Sequence, residues 1–568
     1  MQIIRLIFTS HFNKIWSYLA AFLSTILLSP IVVGLSNVNP KNISWITGDN
    51  WTAYLAQLYY LKAPVPLPLG GNWHYGLENS ATITFTGPPL FLLLPQKFLN
   101  IDPRLQFFGI FLCLSIFLQI LLSLKIAAEF TDSKYIGICF SIIMLTPFFF
   151  QRIQMYFWLT SHFLILWAIL LSIRQLRNYS ISIKSIATIL TLSYCVNPYL
   201  LAMVLLVMIS SNCFVWLILR KSIDFIKFII TAFSVILINF LVIDLGFNSS
   251  SIYETFRSIF TPTYGAHPGN LLALINPNVT NNKENTINAF PSHFTQVTPN
   301  WSSLHFSFGN IVGDSEGFGY LGLGNIWLVL IAFVLFFRGR YWFKYITYNK
   351  YLIFIIIPVT MFVITPRIGI GALEINFPFP IALKYLGSPF RASGRFVWVI
   401  AYVILVLTLV LLLNTLSRNS IKIIISIAVI IQILDISSAM LERSNFISIL
   451  TRSNKIYSVE DSRAFEKISQ NKAKLRFFPP ANGPQNYEKL SLLAWDNNLA
   501  TDGALSARPN FIRMIDLGEK IRTQLCLNQL ESDSLYAISS SESQSLHDCG
   551  FIPPKSARID DTYLVVSK

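Results

Sequence analysis

The chain has 568 residues, of which 53% are apolar and only 12% are charged, and its mean hydropathy is +0.55. Soluble globular domains contain about 25% charged residues, so this composition excludes an ordinary soluble domain and indicates a membrane protein. The net charge of +15 is concentrated in residues 1–440, which hold 27 basic and 13 acidic residues, against 16 and 15 in residues 441–568. Orientation of membrane helices and contact with anionic lipid explain this excess, and no basic tail indicates nucleic acid as a partner.

Nine uninterrupted apolar segments predict helices that cross a membrane, because about 20 apolar residues span its hydrocarbon core. They are residues 16–35, 105–127, 135–150, 156–173, 225–246, 319–337, 351–365, 396–413 and 421–440. The first segment is followed by no small-residue cleavage site, so we expect it to remain in the protein as a span.

A further apolar stretch, between Lys184 and Arg220, is too long for one ordinary span. Asn197-Pro198 lies within it, and proline ends or kinks a helix at the residue before it. If the stretch crosses twice, the basic loops before and after it fall on one side, which the positive-inside rule assigns to the cytoplasm. The sequence therefore predicts a multi-pass membrane protein with about eleven spans, its N-terminus in the cytoplasm and its C-terminus outside.

Three long segments share the outer side in this topology: residues 36–104, 246–318 and 366–395. In the first, the apolar run from Pro89 to Leu94 is too short to span and is typical of a re-entrant or interfacial helix. The third runs against the positive-inside rule, because it holds Arg367, Lys384, Arg391 and Arg395. The presence of these basic residues on the outer side therefore has to be explained by something other than helix orientation.

Residues 441–568 carry charges of both signs and are predicted to form a small α/β domain outside the membrane. Alternating apolar residues predict strands at residues 475–478 and 562–566, and residues 512–530 have helical spacing. Cys526 and Cys549 are the two cysteines of this region. A disulfide between them and two unpaired thiols are both consistent with the sequence.

The first outer segment contains Gly48-Asp49-Asn50-Trp51, about fourteen residues past the first span. A carboxylate at this position could have a functional role. A lone acid at this point is also typical of a helix cap, here for a helix over residues 50–61. Asp49 is therefore both a candidate catalytic residue and a candidate cap.

The third outer segment ends in Gly387-Ser388-Pro389-Phe390-Arg391-Ala392-Ser393-Gly394-Arg395, just before a predicted span. Ser388 is predicted to cap that helix and Pro389 to be its first residue, which would place the positive end of the helix dipole at the outer surface. Arg391 and Arg395 are four residues apart, so they would share one helix face and could hold a phosphate. Snorkelling to lipid headgroups, or pairing with Asp435, is the alternative.

The second outer segment ends in Asp314-Ser315-Glu316-Gly317. Its two acids could bind a divalent metal or a sugar hydroxyl, or form a solvated loop end. The glycines of Gly317-Phe318-Gly319-Tyr320-Leu321-Gly322-Leu323-Gly324 open a predicted span and do not follow a strand. They therefore predict close helix packing and not a dinucleotide site.

Four stretches together resemble a bacterial family of large membrane proteins, of unknown function, that is similar to the glycosyltransferase C (GT-C) superfamily. They are Asp49 with Pro68-Leu69-Gly70, Asn270-Leu271-Leu272-Ala273-Leu274-Ile275-Asn276-Pro277, the glycine-rich stretch with Glu316 before it, and Phe390-Arg391-Ala392-Ser393-Gly394-Arg395-Phe396. They are spread through most of residues 36–440. One departure is Thr86-Gly87-Pro88, where the resemblance leads us to expect Thr-Asp-Ser and hence a second acid.

The resemblance implies a mostly α-helical, GT-C-like transmembrane domain over residues 1–440, followed by the α/β domain of residues 441–568. It also implies a transferase of the bacterial inner membrane that uses a polyprenyl-phosphate-linked sugar, with the acid of the first outer loop, Asp49, as the catalytic residue. The residues support this in one respect. Nucleotide sugars are cytoplasmic and no nucleotide motif is present, so a transferase with its acids and arginines outside would need a lipid-linked donor.

The first hypothesis is thus an inverting membrane glycosyltransferase that passes the sugar to a glycan or lipid acceptor. Asp49 would be the base, Arg391 and Arg395 would hold the lipid phosphate, and Glu316 or Asp314 would position the acceptor or a divalent metal, the one cofactor left open. The alternative is a non-catalytic protein that binds or transports polyprenyl lipids or glycans with the same arginines. An acyltransferase is less favoured, because no Ser-His or His-Asp constellation stands on the outer side.

Overall fold

The computed structural model describes residues 2–46, 48–64, 67–79, 82–177, 182–244, 264–265, 267–278, 300–305, 315–338, 342–363, 367–378, 380–452, 457–507, 511–546, 549–551 and 558–566. Within these ranges the protein is mostly helical. The α-helices are Gln2–Val32, Leu35–Val38, Asp49–Lys62, Leu90–Phe98, Phe108–Ala128, Lys134–Ile143, Pro147–Met155, Phe163–Leu176, Ile183–Val196, Pro198–Leu217, Ser222–Asn239, Leu323–Arg338, Trp342–Val363, Ile381–Gly387, Val397–Thr415, Arg418–Arg452, Val459–Ser469, Tyr487–Asp496, Phe511–Cys526 and Ser540–Ser545.

Seven helices in the described part of the chain are long and apolar enough to cross a membrane, as expected of a multi-pass membrane protein. They are Ile15–Val32, Phe108–Ala128, Phe157–Leu176, Pro198–Leu217, Ser222–Asp244, Ser393–Thr415 and Arg418–Glu442. Lys134–Ile143 and Pro147–Ile153 form an eighth candidate that is bent by 54°. The other predicted spans correspond to shorter apolar helices: Ile183–Val196, Leu323–Arg338 and Leu352–Val363. Each predicted span thus has a helix, whereas the eleven crossings and the orientation of the termini stay predictions.

The predicted helix break at Asn197-Pro198 is confirmed. One helix ends at Val196 and the next begins at Pro198. Asn197 between them has an extended backbone, and its side-chain oxygen accepts a hydrogen bond from Tyr199 N at 2.8 Å. Asn197 therefore caps the second helix and satisfies one of the N–H groups that a helix start leaves without a partner.

The glycine-rich stretch packs closely against the long helix Arg418–Arg452, as its sequence predicted. A Cβ on Gly324 would collide with the carbonyl of Ala428, and a Cβ on Gly322 would collide with the side chain of Gln432. Glycine is therefore required at both positions for the two segments to pack this closely. The long helix continues past residue 440, so the predicted domain boundary falls inside a helix, and the division into two domains stays a prediction.

Two sheets occur in the described residues. The first is a hairpin of β1 (Arg367–Ile370) and β2 (Leu373–Asn376) between two membrane helices. The second lies in the C-terminal region and has five strands in the order β4-β3-β5-β7-β6. Its strands are β3 (Lys474–Phe478), β4 (Ala500–Thr501), β5 (Ser534–Ser539), β6 (Arg558–Ile559) and β7 (Thr562–Val566).

The C-terminal sheet confirms the strands predicted at residues 475–478 and 562–566. Strand β3 pairs in parallel with β4 and β5, and β7 pairs in antiparallel with β5 and β6. The helix Phe511–Cys526 covers most of the stretch with helical spacing. Cys526 and Cys549 form a disulfide, which decides between the two alternatives that the sequence left open.

The helix Asp49–Lys62, called the Asp49 helix below, is buried from residue 50 to residue 60. Much of its cover comes from the helix Tyr487–Asp496 of the C-terminal region, called the docking helix. The contacts between them are Thr52 Oγ1 with Tyr487 Oη (2.7 Å), the Tyr59 hydroxyl with Ser491 O (2.7 Å) and Trp495 Nε1 with Leu58 O (3.0 Å). The first pair joins the N-terminal turns of the two helices and the other two pairs join later turns of both. The helices therefore run parallel, and their N-termini lie side by side.

A second set of contacts joins the C-terminal sheet to the first outer segment. The buried guanidinium of Arg476, on β3, contacts both carboxylate oxygens of Glu78, at 2.8 and 3.0 Å. Thr501, on β4, accepts a hydrogen bond from Gly76 N at 2.7 Å and donates from its own N–H to His74 O at 2.9 Å. Residues 74–78 therefore continue the edge of the C-terminal sheet.

Candidate functional site

The candidate site forms where the Asp49 helix begins. Asp49 is the first helical residue, after Gly48, and no side chain caps this end in the described residues, so the capping role is not realised. Asn50 joins the helix to the turn before residue 157, because its Oδ1 accepts a hydrogen bond from Phe157 N at 3.0 Å and its Nδ2 donates to Ile153 O at 3.4 Å. This link brings Tyr156 beside the half-buried side chain of Asp49.

Glu316, in the 3-10 turn Ser315–Gly317, is held by two arginines and a tyrosine. Arg395 Nε donates to Glu316 Oε2 at 2.7 Å, and Arg152 Nη1 donates to the same oxygen at 3.3 Å. The other oxygen, Oε1, accepts a hydrogen bond from the Tyr156 hydroxyl at 3.1 Å. Arg152 is fully buried and Arg395 nearly so. The carboxylate is therefore needed to compensate two guanidiniums that have been withdrawn from water.

Close backbone approach brings the Glu316 turn against the segment that carries Arg395. A Cβ on Gly394 would lie 2.9 Å from both Gly317 Cα and Pro268 O, closer than a side chain tolerates. The guanidinium of Arg395 then lies 4.5 Å from the ring centroid of Tyr199 and 5.3 Å from that of Tyr156. These cation–π contacts and the ion pair fix the position of Arg395.

Asp49 and Glu316 have opposite pKa shifts although they share Tyr156 as a neighbour. Burial raises the pKa of Asp49 to about 6, and the Tyr156 hydroxyl, whose single proton can be donated to Asp49 or to Glu316, opposes this rise. Burial would also raise the pKa of Glu316, but the positive charges of Arg395 and Arg152 outweigh it and hold the pKa well below its usual range. Glu316 thus stays ionised, while Asp49 can take up and release a proton near neutral pH.

The C-terminal region contributes another carboxyl group, Glu488, the second residue of the docking helix. Burial raises the pKa of Glu488 to about 7, and the negative charge of Asp49 adds to this rise. The adjacent Tyr487 contacts Thr52, about one helical turn beyond Asp49. Asp49 therefore interacts electrostatically with two acids, Glu316 before a membrane helix and Glu488 in the C-terminal region.

Arg391 and Arg395 do not lie on one continuous helix. Ser388–Phe390 and Ser393–Phe396 are 3-10 turns, and the α-helix begins only at Val397. Ser388 closes the preceding helix, because its hydroxyl donates to Lys384 O at 2.6 Å. The predictions that Ser388 caps the span, that Pro389 is its first residue and that both arginines share one helix face are therefore wrong.

Arg391 and Arg395 also differ in exposure. The side chain of Arg391 is exposed, whereas Arg395 is buried against Glu316. The positive charge of Arg391 nevertheless acts on Asp49, together with that of Arg395. The structure thus brings Asp49, Glu316 and Arg395 into one cluster and places Arg391 at its exposed edge.

Two other acids named from the sequence do not join this cluster. Asp435 Oδ1 accepts a hydrogen bond from Ser302 Oγ at 2.5 Å, and Oδ2 accepts one from the Tyr320 hydroxyl at 2.8 Å. The predicted alternative of an arginine paired with Asp435 is therefore not realised for Arg395, whose partner is Glu316. Asp314 lies outside the described residues.

The surroundings of Glu316 do not fit a divalent metal. Two guanidiniums already contact its carboxylate, and their charges oppose a bound cation. The described residues also contain no group of three or more His, Cys, Asp or Glu side chains with the geometry of a metal site. No step of the chemistry below is therefore assigned to a metal.

Sequence reasoning missed three residues of the cluster: Arg152, Tyr156 and Glu488. Arg152 offered a signal, because it follows an apolar run at the predicted outer end, where the positive-inside rule disfavours arginine. Tyr156 stood at the edge of a predicted span, as aromatic residues commonly do. Glu488 gave no signal, because nothing in the sequence connects residue 488 with residue 49.

Fold and site together define a multi-pass membrane protein with a titratable carboxyl group beside a buried arginine–glutamate network. Residues 22–437 match the family model described as Domain of unknown function (DUF6311), and the chain belongs to this family. The predicted membership of a family of unknown function is confirmed at this level. A search of curated proteins found no significant match.

Among solved structures, the chain is similar to the oligosaccharyltransferase of Archaeoglobus fulgidus in two crystal structures. The complex with Zn and sulfate shares 10% identity at a TM-score of 0.39, over 92% of this chain and 69% of that one. The apo form shares 11% identity at a TM-score of 0.38, over 94% of this chain and 70% of that one.

Proposed function

We propose that this protein is an inverting membrane glycosyltransferase of the GT-C type. It takes a sugar from a polyprenyl-phosphate-linked donor and transfers it to a glycan or lipid acceptor outside the cytoplasm. The observation that carries the proposal is Asp49, a half-buried carboxyl group with a pKa raised to about 6 beside the Glu316–Arg395 pair. The family resemblance in the sequence points to the same residue.

In the proposed reaction, ionised Asp49 accepts the proton of the acceptor hydroxyl as the acceptor oxygen bonds to the anomeric carbon of the donor. The bond between that carbon and the donor phosphate oxygen breaks, and polyprenyl phosphate leaves with the electron pair. The anomeric centre is inverted, and Asp49 later releases its proton to water. A pKa near 6 keeps Asp49 ionised at neutral pH yet basic enough to accept a proton in the transition state.

Arg391 and Arg395 have different roles in this proposal. Arg391 binds the leaving phosphate, because its exposed guanidinium presents N–H groups in the fork that suits a phosphate. Arg395 can add charge to the phosphate site, while its contact with Glu316 holds that carboxylate and, through it, Tyr156 in place. The roles of Glu316 and Asp314 toward the acceptor remain proposals from the sequence.

Binding or transport of a polyprenyl lipid without chemistry remains the second candidate from the sequence. Such a protein would need cationic groups for the phosphate but no titratable base. The position of Asp49 between Tyr156 and the arginines, with its raised pKa, favours the transferase.

The test compares surface glycans of three strains: a deletion of the gene, Asp49→Asn, and Asp102→Asn. Asp102 is an exposed acid of the same outer segment, so the same chemical change there leaves the site intact. In proteoliposomes with a polyprenyl-phosphate sugar, Asp49→Asn is expected to lower transfer on the order of 100- to 10,000-fold, the usual contribution of a general base. Asp102→Asn is expected to retain wild-type transfer and wild-type glycans.

Two outcomes would count against the proposal. If the deletion alters surface glycans while Asp49→Asn does not, Asp49 is no base and the non-catalytic function becomes the better account. If purified wild-type protein binds the donor lipid in proteoliposomes but transfers no sugar to any glycan fraction of the deletion strain, the protein binds and does not catalyse.

A further inference from the structure

The hairpin of β1 and β2 has one apolar and one polar face. Its register pairs Ile368 with Ile375 and Ile370 with Leu373, and directly opposed residues lie on the same face of a sheet. The pairs Arg367–Asn376 and Gly369–Glu374 form the other face. On that polar face Arg367 Nε lies 3.7 Å from Glu374 Oε1.

The apolar face is exposed in the described residues. Leu373 is 68% exposed, Ile375 is 40% exposed and Phe377, just beyond β2, is 50% exposed. The next helix, Ile381–Gly387, also exposes apolar side chains: Ile381 and Tyr385 are four residues apart on one face and are 68% and 44% exposed. A two-stranded hairpin is marginal in water, so this surface needs an apolar environment to keep its form.

Contacts with the segment of residues 267–271 fix the hairpin near the ends of two membrane helices. The Asn270 side chain bonds to both the N–H and the carbonyl of Gly371, at 3.2 and 2.9 Å, in the turn of the hairpin. The same segment is tied to the span at Ser393–Thr415, because Gly394 N donates to His267 O at 3.2 Å. The hairpin therefore lies at the level where membrane helices end.

The charge of this region suits an anionic surface. Residues 367–387 hold two basic residues, Arg367 and Lys384, and one acid, Glu374, which gives a net charge of +1. The proposed reaction leaves both basic residues without a role. Arg367 lies at the start of β1 on the polar face, and Lys384 lies between Ile381 and Tyr385 on the helix. Both are beside the apolar side chains, where lipid phosphates would lie if those side chains entered the membrane.

We propose that residues 367–387 form an interfacial membrane anchor, which inserts the apolar face of the hairpin and helix among acyl chains and binds anionic phospholipid headgroups through Arg367 and Lys384. Amphipathic segments with basic flanks bind membranes in this way, by apolar burial plus attraction to anionic lipid. The proposal explains basic residues that the positive-inside rule does not. It does not depend on Asp49 or on sugar transfer.

The test places the photoreactive residue benzoylphenylalanine at position 373 or, as the matched control, at position 374. The two positions are adjacent on β2 but lie on opposite faces. Full-length protein in nanodiscs of phosphatidylglycerol and phosphatidylethanolamine is irradiated, and lipid adducts are measured by mass spectrometry. Several-fold more adduct is expected at position 373, and Arg367→Gln with Lys384→Gln is expected to lower the phosphatidylglycerol share of those adducts.

Equal adduct yields at the two positions, or none at position 373, would overturn the insertion. An unchanged phosphatidylglycerol share in the double variant would overturn headgroup binding. Irradiation in intact cells separates a protein partner from lipid: a protein adduct at position 373 in place of lipid would mean that another chain covers this face. Lipid adducts at position 373 in cells would support the anchor.

Discussion

The two ends of the candidate site shift the pKa of a carboxyl group in opposite directions. At the Glu316 turn, two guanidiniums and a tyrosine surround one carboxylate, which stays ionised. At the start of the Asp49 helix, burial dominates and the pKa rises to about 6. The difference lies in the position of the cations. Arg152 and Arg395 contact Glu316, whereas Arg395 and Arg391 act on Asp49 only through longer-range attraction. A fold can thus make one acid structural and its neighbour titratable.

The largest effect on stability is expected from Glu316→Gln, which removes the charge that compensates Arg152 and Arg395. Loss of one partner of a buried ion pair costs about 3–5 kcal/mol. The matched control is Glu129→Gln: Glu129 is 14% exposed against 13% for Glu316 and also contacts two arginines, which are 43% and 37% exposed. The thermal unfolding temperature in detergent is expected to fall by many degrees for Glu316→Gln and by little for Glu129→Gln. Equal losses would mean that burial of the arginines does not matter.

The pH dependence of transfer tests the titratable end of the comparison. Asp49 must be ionised to accept a proton, so activity is expected to fall as the pH drops through about 6, the raised pKa of Asp49. Tyr156→Phe removes a hydrogen bond that lowers this pKa. The fall of activity at acid pH, which is the acid limb of the pH profile, is therefore expected to move to higher pH by up to about one unit.

The control for Tyr156→Phe is Tyr54→Phe, on the Asp49 helix. The Tyr54 hydroxyl donates to Arg104 O at 3.0 Å and does not contact the site. This variant is expected to leave the pH profile unchanged. A limb that moves to lower pH in Tyr156→Phe would contradict the assignment of Tyr156 as a donor to Asp49.

The smallest effect is expected from Glu488→Gln, which removes the carboxyl group of the docking helix. The negative charge of Glu488 opposes ionisation of Asp49, so its loss lowers the pKa of Asp49 and moves the acid limb to lower pH. The shift is expected to be roughly a few tenths of a unit, because Glu488, with a pKa of about 7, is largely neutral where Asp49 titrates. Glu519→Gln, an exposed acid of the same region, is expected to shift nothing, and an upward shift in Glu488→Gln would contradict the contact.

Local patterns in the sequence predicted the helices, the break at Asn197-Pro198, the close packing of the glycines and the C-terminal strands, because each depends on residues that are near in sequence. The start of the span after Arg395 was mispredicted, since Ser388 bonds backwards to Lys384 and ends the earlier helix. Composition and spacing cannot reveal that Arg152 meets Glu316, 164 residues away, because that contact arises only when the helices pack.

Separation along the chain also determines when the site can form during synthesis. The Thr52–Tyr487 contact joins residues 435 positions apart, and the docking helix covers one face of the Asp49 helix. The first outer segment therefore leaves the ribosome long before its cover is made, and closing so long a loop is slow. The site near Asp49 is complete only after residues 487–496 have been synthesised, so a chain that stops before residue 487 carries Asp49, Glu316 and Arg395 but lacks the docking helix and Glu488.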